Sequence, residues 1–146
     1  MLNFAELYQL INKSPIRMKK IIVLALITFQ FISCQESLSE KADREAKLYT
    51  KKNCPATMSD VLRMDSMTFE VSSQTLHYHY TLTGRADNEG TLNKEEARQA
   101  LLRELKNTTQ VAEYKEEGYN FAYTYHSEKS PQTILYTVTF APKDYR

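Results

Sequence analysis

Thr75-Leu76-His77-Tyr78-His79-Tyr80-Thr81-Leu82-Thr83 is the stretch of this 146-residue sequence that predicts the fold most directly. Apolar and polar side chains alternate along it, and a period of two is the pattern of a β-strand. Leucine and tyrosine fall on one face, while threonine and histidine fall on the other. Strands with one apolar and one polar face are typical of a sheet that is covered on one side only.

Three further segments alternate in the same way. Residues 66–72 precede this strand across a two-residue polar link, which favours a β-hairpin. Residues 119–126 and 133–141 flank a turn that contains Pro131, and they predict a second hairpin. The side chains expected on the apolar face of the sheet are Met67, Phe69, Val71, Leu76, Tyr78, Tyr80, Leu82, Tyr119, Phe121, Tyr123, Tyr125, Ile134, Tyr136, Val138 and Phe140.

A first helix is predicted over residues 39–53. Ser39 is a favoured N-cap residue, and Glu40 places an acidic side chain in the first turn. The helix is expected to end near Cys54, because Pro55 follows and the residue before a proline avoids the helical backbone conformation.

A second helix is predicted to begin at Asn93, with Glu96 three residues later in a pattern similar to a capping box. A shorter helical piece over residues 110–117 is expected to end at Gly118, because glycine is typical of the position after a helix. The expected buried face of the second helix consists of Ala97, Ala100, Leu101, Leu102 and Leu105.

These elements predict an α+β fold in the order α-ββ-α-ββ. The sheet is expected to be four-stranded and mainly antiparallel, with the helices on its aromatic face. Two hairpins joined by a helix can be arranged in several ways, so the spatial order of the strands stays open.

Residues 18–34, MKKIIVLALITFQFISC, form a segment of a different kind. Lys19 and Lys20 supply positive charge, and residues 21–32 form an apolar run. A helix needs about 20 apolar residues to span a bilayer, so this run is too short for that purpose. Positive charge, a short apolar run and a small residue in this order predict a secretory signal peptide.

Phe31-Ile32-Ser33-Cys34 resembles the lipobox of bacterial lipoproteins, although Phe31 stands where that family usually has Leu, Val or Ile. The resemblance implies that a diacylglyceryl group is attached to the sulfur of Cys34 and that signal peptidase II cuts before this residue. Cys34 would then anchor the protein in a lipid bilayer. The alternative is a buried or interfacial helix in which the cysteine is incidental.

The chain divides into four predicted segments. Residues 1–17 precede the charged start of the signal and are interpreted as a start-site extension, with translation from Met18; a longer charged region is the alternative. Residues 18–33 are predicted to be the lipoprotein signal peptide, and residues 34–39 a lipidated tether. Residues 40–146 have the length of one domain and are predicted to form a single α+β domain.

The composition argues against a nucleic-acid partner. The 19 basic and 18 acidic residues are interspersed, whereas nucleic-acid binding usually needs a concentrated basic face.

The chain has two cysteines, Cys34 and Cys54, and lipidation of the first would leave the second unpaired. The domain is therefore expected to be stabilised by an apolar core and not by an internal disulfide.

A proline, an Arg-x-Asp sequence and a Tyr-x-Tyr strand form a pattern that resembles small exported bacterial domains of unassigned function. In this chain the pattern consists of Pro55, Arg63, Asp65, Tyr78 and Tyr80. The resemblance covers a short part of the chain, and it implies an architecture but no activity.

Three histidines and one cysteine are the candidates for chemistry. His77 and His79 share one strand face, and His126 faces outward on another strand, so the three could bind zinc with one position open for water. The alternative is a solvated polar face.

Cys54 is the candidate nucleophile. It would need a nearby base and a lowered pKa for that role, and it has no CxxC partner. The other interpretation of Cys54 is a small, half-buried residue at a helix end.

The tyrosines of the apolar face allow two interpretations. They line a ligand groove if the helices leave part of that face uncovered, and otherwise they form the core. The sequence also lacks a P-loop, a Gly-x-Ser-x-Gly elbow and an HExxH motif.

These observations predict a non-enzymatic lipoprotein of the bacterial cell envelope that binds another molecule, with an envelope protein ahead of a small molecule. Anchoring through Cys34 in the outer membrane is expected, and the periplasmic or surface face stays open. No catalytic residue, metal, cofactor or nucleic-acid partner is expected. The alternative is a small metal-binding or enzymatic domain that uses His77, His79 and Cys54, and a third class is a structural envelope component.

Replacement of Cys34 tests the predicted anchor. The Cys34→Ser variant lacks the sulfur that would carry the lipid, so it should lose both incorporation of a labelled fatty acid and partition into detergent. Cys54→Ser is the matched control and should retain both. Equal labelling of the Cys34→Ser variant would show that the lipoprotein interpretation is wrong.

Overall fold

The computed structural model describes residues 36–90 and 92–146, and residues 36–146 form one compact unit. The predicted signal peptide and Cys34 lie outside the described residues. None of the helices in the described part is long and apolar enough to cross a membrane. A sheet with helices packed on one face confirms the α+β class.

In the described part of the chain, five strands form one sheet: β1 (Ala56–Ser59), β2 (Leu62–Glu70), β3 (Thr75–Leu82), β4 (Asn120–Ser127) and β5 (Ile134–Phe140). They lie side by side in chain order, and all neighbours are antiparallel except β3 and β4, which are parallel. The mainly antiparallel sheet is therefore confirmed, but the expected number of four strands is wrong. The additional strand, β1, has four mostly exposed residues and so offers little alternation from which to predict it.

Four α-helices occur in the described residues, namely α1 (Leu38–Asn53), α2 (Lys94–Asn107), α3 (Ala112–Glu117) and α4 (Pro142–Tyr145). The observed order is α-βββ-αα-ββ-α. The expected order α-ββ-α-ββ therefore omitted β1 and the terminal α4, and it counted α2 and the predicted short helical piece, α3, as one helix. Pro142 follows the last strand and occupies the first turn of α4, where the fixed φ of proline suits a helix.

The parallel contact between β3 and β4 joins the two parts of the sheet. A parallel neighbour needs a crossover connection, and α2 and α3 provide it. The register places Tyr78 beside Tyr123 and Tyr80 beside Tyr125, and in each pair the ring centroids lie 5.1 Å apart in a stacked arrangement. Such pairs contribute about 0.5–1.5 kcal/mol beyond the burial of their area.

The hydrophobic core lies between the apolar face of the sheet and the helices. α1 packs against β2, and the small side chains of Ala42 and Ala46, both fully buried, let it approach closely. Phe121 and Phe140 are also fully buried. The buried cluster consists of Ala42, Ala46, Leu76, Leu105, Tyr114, Tyr119, Phe121, Phe140 and Tyr145.

α1 begins earlier than predicted, because its N-cap is Ser37 and not Ser39. The Ser37 hydroxyl accepts a hydrogen bond from the Glu40 amide, and the Glu40 carboxylate accepts one from the Ser37 amide, which completes a capping box. Ser39 lies in the first turn, where its hydroxyl is 3.0 Å from the Tyr119 hydroxyl. The other predicted helix ends are confirmed at Cys54, Asn93 and Gly118.

Three side chains expected on the buried face are exposed instead. β2 ends at Glu70, so Val71 lies in the following turn and is 63% exposed. Ile134 is 54% exposed, because an irregularity in the pairing of β4 with β5 skips Leu135, which is buried in its place. Ala100 also lies on the surface.

Two truncations on β5 test this arrangement. Phe140 has no exposed surface, so Phe140→Ala should lower the free energy of unfolding by about 3–5 kcal/mol in urea melts. Ile134→Ala on the same strand removes an exposed side chain and should change it by no more than about 0.5 kcal/mol. The opposite order of effects would mean that the register of β5 is wrong.

Candidate functional site

A groove of about 370 Å³ opens on the helix side of the sheet, between α1 and α2. Its volume lies within the usual range of ligand-binding clefts, about 300–1,000 Å³. We call it the tyrosine groove and define it by Tyr49, Tyr78, Tyr80 and Tyr123 with Met58, Met64 and Met67. The apolar stripe of the sheet is thus partly core and partly the floor of an open groove.

The wall formed by α1 is fixed to the edge of the sheet. The Thr50 hydroxyl donates a hydrogen bond to the carbonyl oxygen of Met67 at 2.7 Å and accepts one from the Met67 amide at 2.8 Å. This contact satisfies backbone groups of β2 beyond its short pairing with β1. It also places the neighbouring Tyr49 at the mouth of the groove.

The groove exposes apolar surface that the helices leave uncovered. Met58 is 56% exposed and Tyr49 is 38% exposed, while Tyr78, Tyr80 and Tyr123 are half-buried. Two of the exposed large apolar side chains, Tyr49 and Met58, thus line a concave site, and an apolar cleft of this kind is a candidate binding site. Of the two interpretations of the tyrosine stripe, the structure therefore supports the groove for these residues.

The ionisable groups of the groove are acidic or phenolic. Glu45 accepts a hydrogen bond from the Tyr114 hydroxyl at 2.6 Å, and Glu104 of α2 lies across the groove. Burial, with the negative charge of Glu104 adding to it, raises the pKa of Tyr78 to about 12. Burial likewise raises the pKa of Tyr80. These phenols are therefore neutral near pH 7 and can donate hydrogen bonds to a ligand.

The opposite face of the sheet brings the three histidines together. Parallel pairing makes β3 and β4 neighbours, and this brings His126 on β4 close to the two histidines on β3. The ring centroids of His77 and His79 are 4.0 Å apart, and those of His79 and His126 are 6.5 Å apart. The sequence left the strand order open, and the observed order, with β3 beside β4, is one that places these imidazoles close together.

The imidazole nitrogens nevertheless diverge. Nε2 of His77 lies 2.8 Å from the Thr124 hydroxyl on β4, whereas Nε2 of His79 lies 3.2 Å from the Thr68 hydroxyl on β2. These nitrogens face opposite neighbouring strands and so do not converge on one point. Across residues 36–90 and 92–146, no group of three or more His, Cys, Asp or Glu side chains is arranged to hold a metal ion.

The histidine face is also less solvated than expected. Thr81 and Thr124 are buried within it. Burial, together with the neighbouring His79, lowers the pKa of His77 from 6.5 to about 4. Burial, together with His126, lowers the pKa of His79 as well. Both rings are therefore neutral near pH 7.

The Arg-x-Asp sequence has a structural role on this face. Asp65 accepts a hydrogen bond from the Arg63 guanidinium at 2.7 Å and another from the Thr81 hydroxyl at 2.6 Å. The second bond links β2 to β3, because its two residues belong to these neighbouring strands. Asp65 therefore has partners within the sheet and is not a free carboxylate.

Cys54 lacks the features of a nucleophile. It occupies the C-cap position of α1, and burial raises the pKa of its thiol, with the negative charge of Asp65 adding to this effect. A reactive cysteine needs the opposite shift, because the thiolate is the reactive form. The structure therefore supports the interpretation of Cys54 as a half-buried residue at a helix end.

Sequence reasoning found the tyrosines of the groove but missed its rim. Glu45 and Glu104 have no sequence feature that distinguishes them from other charged helix residues, and Met58 lies in the strand that was not predicted. Their side chains meet only because α1, α2 and β1 border the same part of the sheet. No spacing in the sequence encodes that proximity.

Residues 37–136 match the protein family DUF8479, described as a domain of unknown function. The chain belongs to this family. The matched residues include α1, α2 and α3, so they span both walls of the tyrosine groove. No curated protein matches the sequence.

Similar solved structures come from exported and secretion-system proteins. A protein of Pseudomonas aeruginosa described as secreted shares 16% identity with a TM-score of 0.60, over 77% of this chain and 100% of its own. The type 2 secretion system pilotin EpsS of Vibrio vulnificus shares 9% identity with a TM-score of 0.60, over 75% of this chain and 92% of its own. The type 2 secretion system pilotin AspS of Vibrio cholerae shares 12% identity with a TM-score of 0.55, over 73% of this chain and 91% of its own. At these identities the likeness concerns the fold.

His77 should make stability depend on pH. Its pKa is about 4 in the folded protein and about 6.5 in an unfolded chain, so the unfolded chain takes up the proton first as the pH falls. The free energy of unfolding in urea should therefore decrease from about pH 7 to about pH 5. His77→Gln keeps a polar group beside Thr124 but cannot be protonated. The free energy of unfolding of this variant should therefore decrease less over the same pH range. An equal decrease in both proteins would contradict this assignment.

Proposed function

We propose that this protein is a lipid-anchored, non-enzymatic protein of the bacterial cell envelope that binds a segment of another envelope protein in the tyrosine groove. Cys34 carries the lipid in the outer membrane, and the residues that follow it connect the anchor to α1. The folded unit that begins at residue 36 is the binding domain.

The observation that carries this proposal is the uncovered aromatic and methionine surface of the tyrosine groove. Aromatic residues and methionine are enriched in the buried centres of protein interfaces. Methionine side chains are flexible and polarizable, so they adapt to the shape of a bound side chain. Met58 is exposed at the groove and Met67 is half-buried there, while Met64 lines it as a buried residue. A preformed groove of this composition favours binding of a protein segment.

The fold comparisons support a partner-binding role in the envelope. Two proteins of this fold are pilotins of type 2 secretion systems, and a third is described as secreted. The chemistry of the candidate residues also supports a role that is not enzymatic. The raised pKa of Cys54 and the hydrogen-bonded Nε2 atoms of His77 and His79 disfavour a nucleophilic or metal-dependent enzyme.

Photocrosslinking in living cells tests this proposal. A photoreactive amino acid is placed at Met58 or Tyr49, which line the groove, or at Val71, which lies outside it. Val71 is the matched control, since it is 63% exposed and Met58 is 56% exposed. Both groove positions should give the same adduct, identified by mass spectrometry as an envelope protein, and Val71 should not. Absence of this adduct, or equal yield from Val71, would contradict binding in the groove.

A further inference from the structure

We infer that the tyrosine groove selects a protein segment in which an apolar or aromatic side chain lies beside a lysine or arginine, and that Glu104 recognises the cation. This inference rests on the proposed function, because it names the chemistry of the segment bound at the same site. Two features of the groove support it, namely the charges that line it and the presence of Glu104 in the same lining as the tyrosines.

The charged side chains that line the groove are both acidic. Glu45 and Glu104 are the carboxylates, and no lysine or arginine of the described residues lines it with them. Glu45 is engaged by the Tyr114 hydroxyl. Glu104 is exposed, and no cation within residues 36–90 and 92–146 lies at ion-pair distance from it. The groove therefore offers a carboxylate that a cationic ligand can use.

Glu104 lines the same groove as the tyrosines that form its floor. Burial is the main cause of the raised pKa values of Tyr78, Tyr80 and Tyr123, and the negative charge of Glu104 adds to it. A cation beside Glu104 would therefore also lie near tyrosine rings, whose faces attract positive charge. Paired charges about 4 Å apart near a protein surface gain enough energy to change affinity about fivefold or more.

The same charges disfavour the main competing ligand. A fatty acid has an apolar chain of suitable chemistry for the groove, but its carboxylate would lie among Glu45, Glu104 and phenols that remain neutral near pH 7. Bringing like charges together costs free energy. A protein segment with a cationic side chain satisfies both the apolar floor and the acidic rim, so it is the occupant that the groove fits.

The test uses the unit of residues 36–146, which contains the whole described core and every described helix and strand. Each protein must first show a cooperative thermal unfolding transition. The chain has five methionines, and the three within this unit, Met58, Met64 and Met67, all line the groove. Labelling the methionine methyl groups with carbon-13 therefore gives nuclear magnetic resonance signals that report on the groove alone.

The probes are three short peptides with identical leucine and phenylalanine positions that differ in their flanking residues, which are lysine, glutamine or glutamate. The lysine peptide should shift the methionine signals and bind about fivefold or more tightly than the glutamate peptide, with the glutamine peptide between them. Added salt should reduce this difference, because the rim is exposed. A labelled fatty acid, added as a fourth probe, should bind more weakly than the lysine peptide.

Two substitutions at Glu104 assign the selectivity. Glu104→Gln should weaken binding of the lysine peptide about fivefold and leave binding of the glutamine peptide unchanged. Glu104→Lys should make the glutamate peptide bind more tightly than the lysine peptide. Glu116→Gln is the matched control, because Glu116 is exposed on α3 and does not line the groove. This control should retain the order found for the unaltered protein.

The outcomes separate this inference from the proposed function. Equal binding of the three peptides at the methionines, or no effect of Glu104→Gln, would overturn the charge selectivity and leave the groove as a protein-binding site. Tighter binding of the fatty acid than of any peptide would overturn the choice of occupant. If no peptide shifts the methionine signals, or if the unit fills its own groove by self-association, binding of a partner segment in the groove is itself wrong.

Discussion

The parallel pairing of β3 with β4 is the contact on which the rest of the structure depends. It joins the strands before α2 to those after α3, and its register aligns two stacked tyrosine pairs on one face. Because side chains alternate along a strand, the same register places the histidines together on the other face. One backbone contact therefore determines both the aromatic floor and the histidine cluster.

The groove follows from how the helices are held above that floor. Thr50 fixes α1 to the edge of β2, and the crossover that parallel pairing requires brings α2 and α3 over the sheet. α1 and α2 border the tyrosines from opposite sides and leave part of the aromatic surface uncovered. Glu45 of α1 and Glu104 of α2 both line this groove, so a site with apolar and acidic chemistry arises from two helices that each supply one carboxylate.

Much of the fold could be predicted because its signals are local. Alternation along residues 75–83, the caps at Asn93 and Gly118, and the stop at Cys54 each depend on a few neighbouring residues. One of the incorrect predictions has a cause that is not local. Ile134 is exposed because an irregularity in pairing with β4 moves Leu135 into its place, and such an irregularity depends on the partner strand.

The sequence by itself determined the α+β class, the one-sided sheet and the tyrosine stripe, because periodicity and capping are properties of consecutive residues. It also contains the lipobox-like segment that ends at Cys34, which remains a prediction. Only the tertiary structure decided that β3 and β4 are neighbours, that the Nε2 atoms of His77 and His79 diverge, and that Glu104 lines the same groove as the tyrosines. These features are distances between residues far apart in the chain, and they are set by how the elements pack together and not by any local pattern.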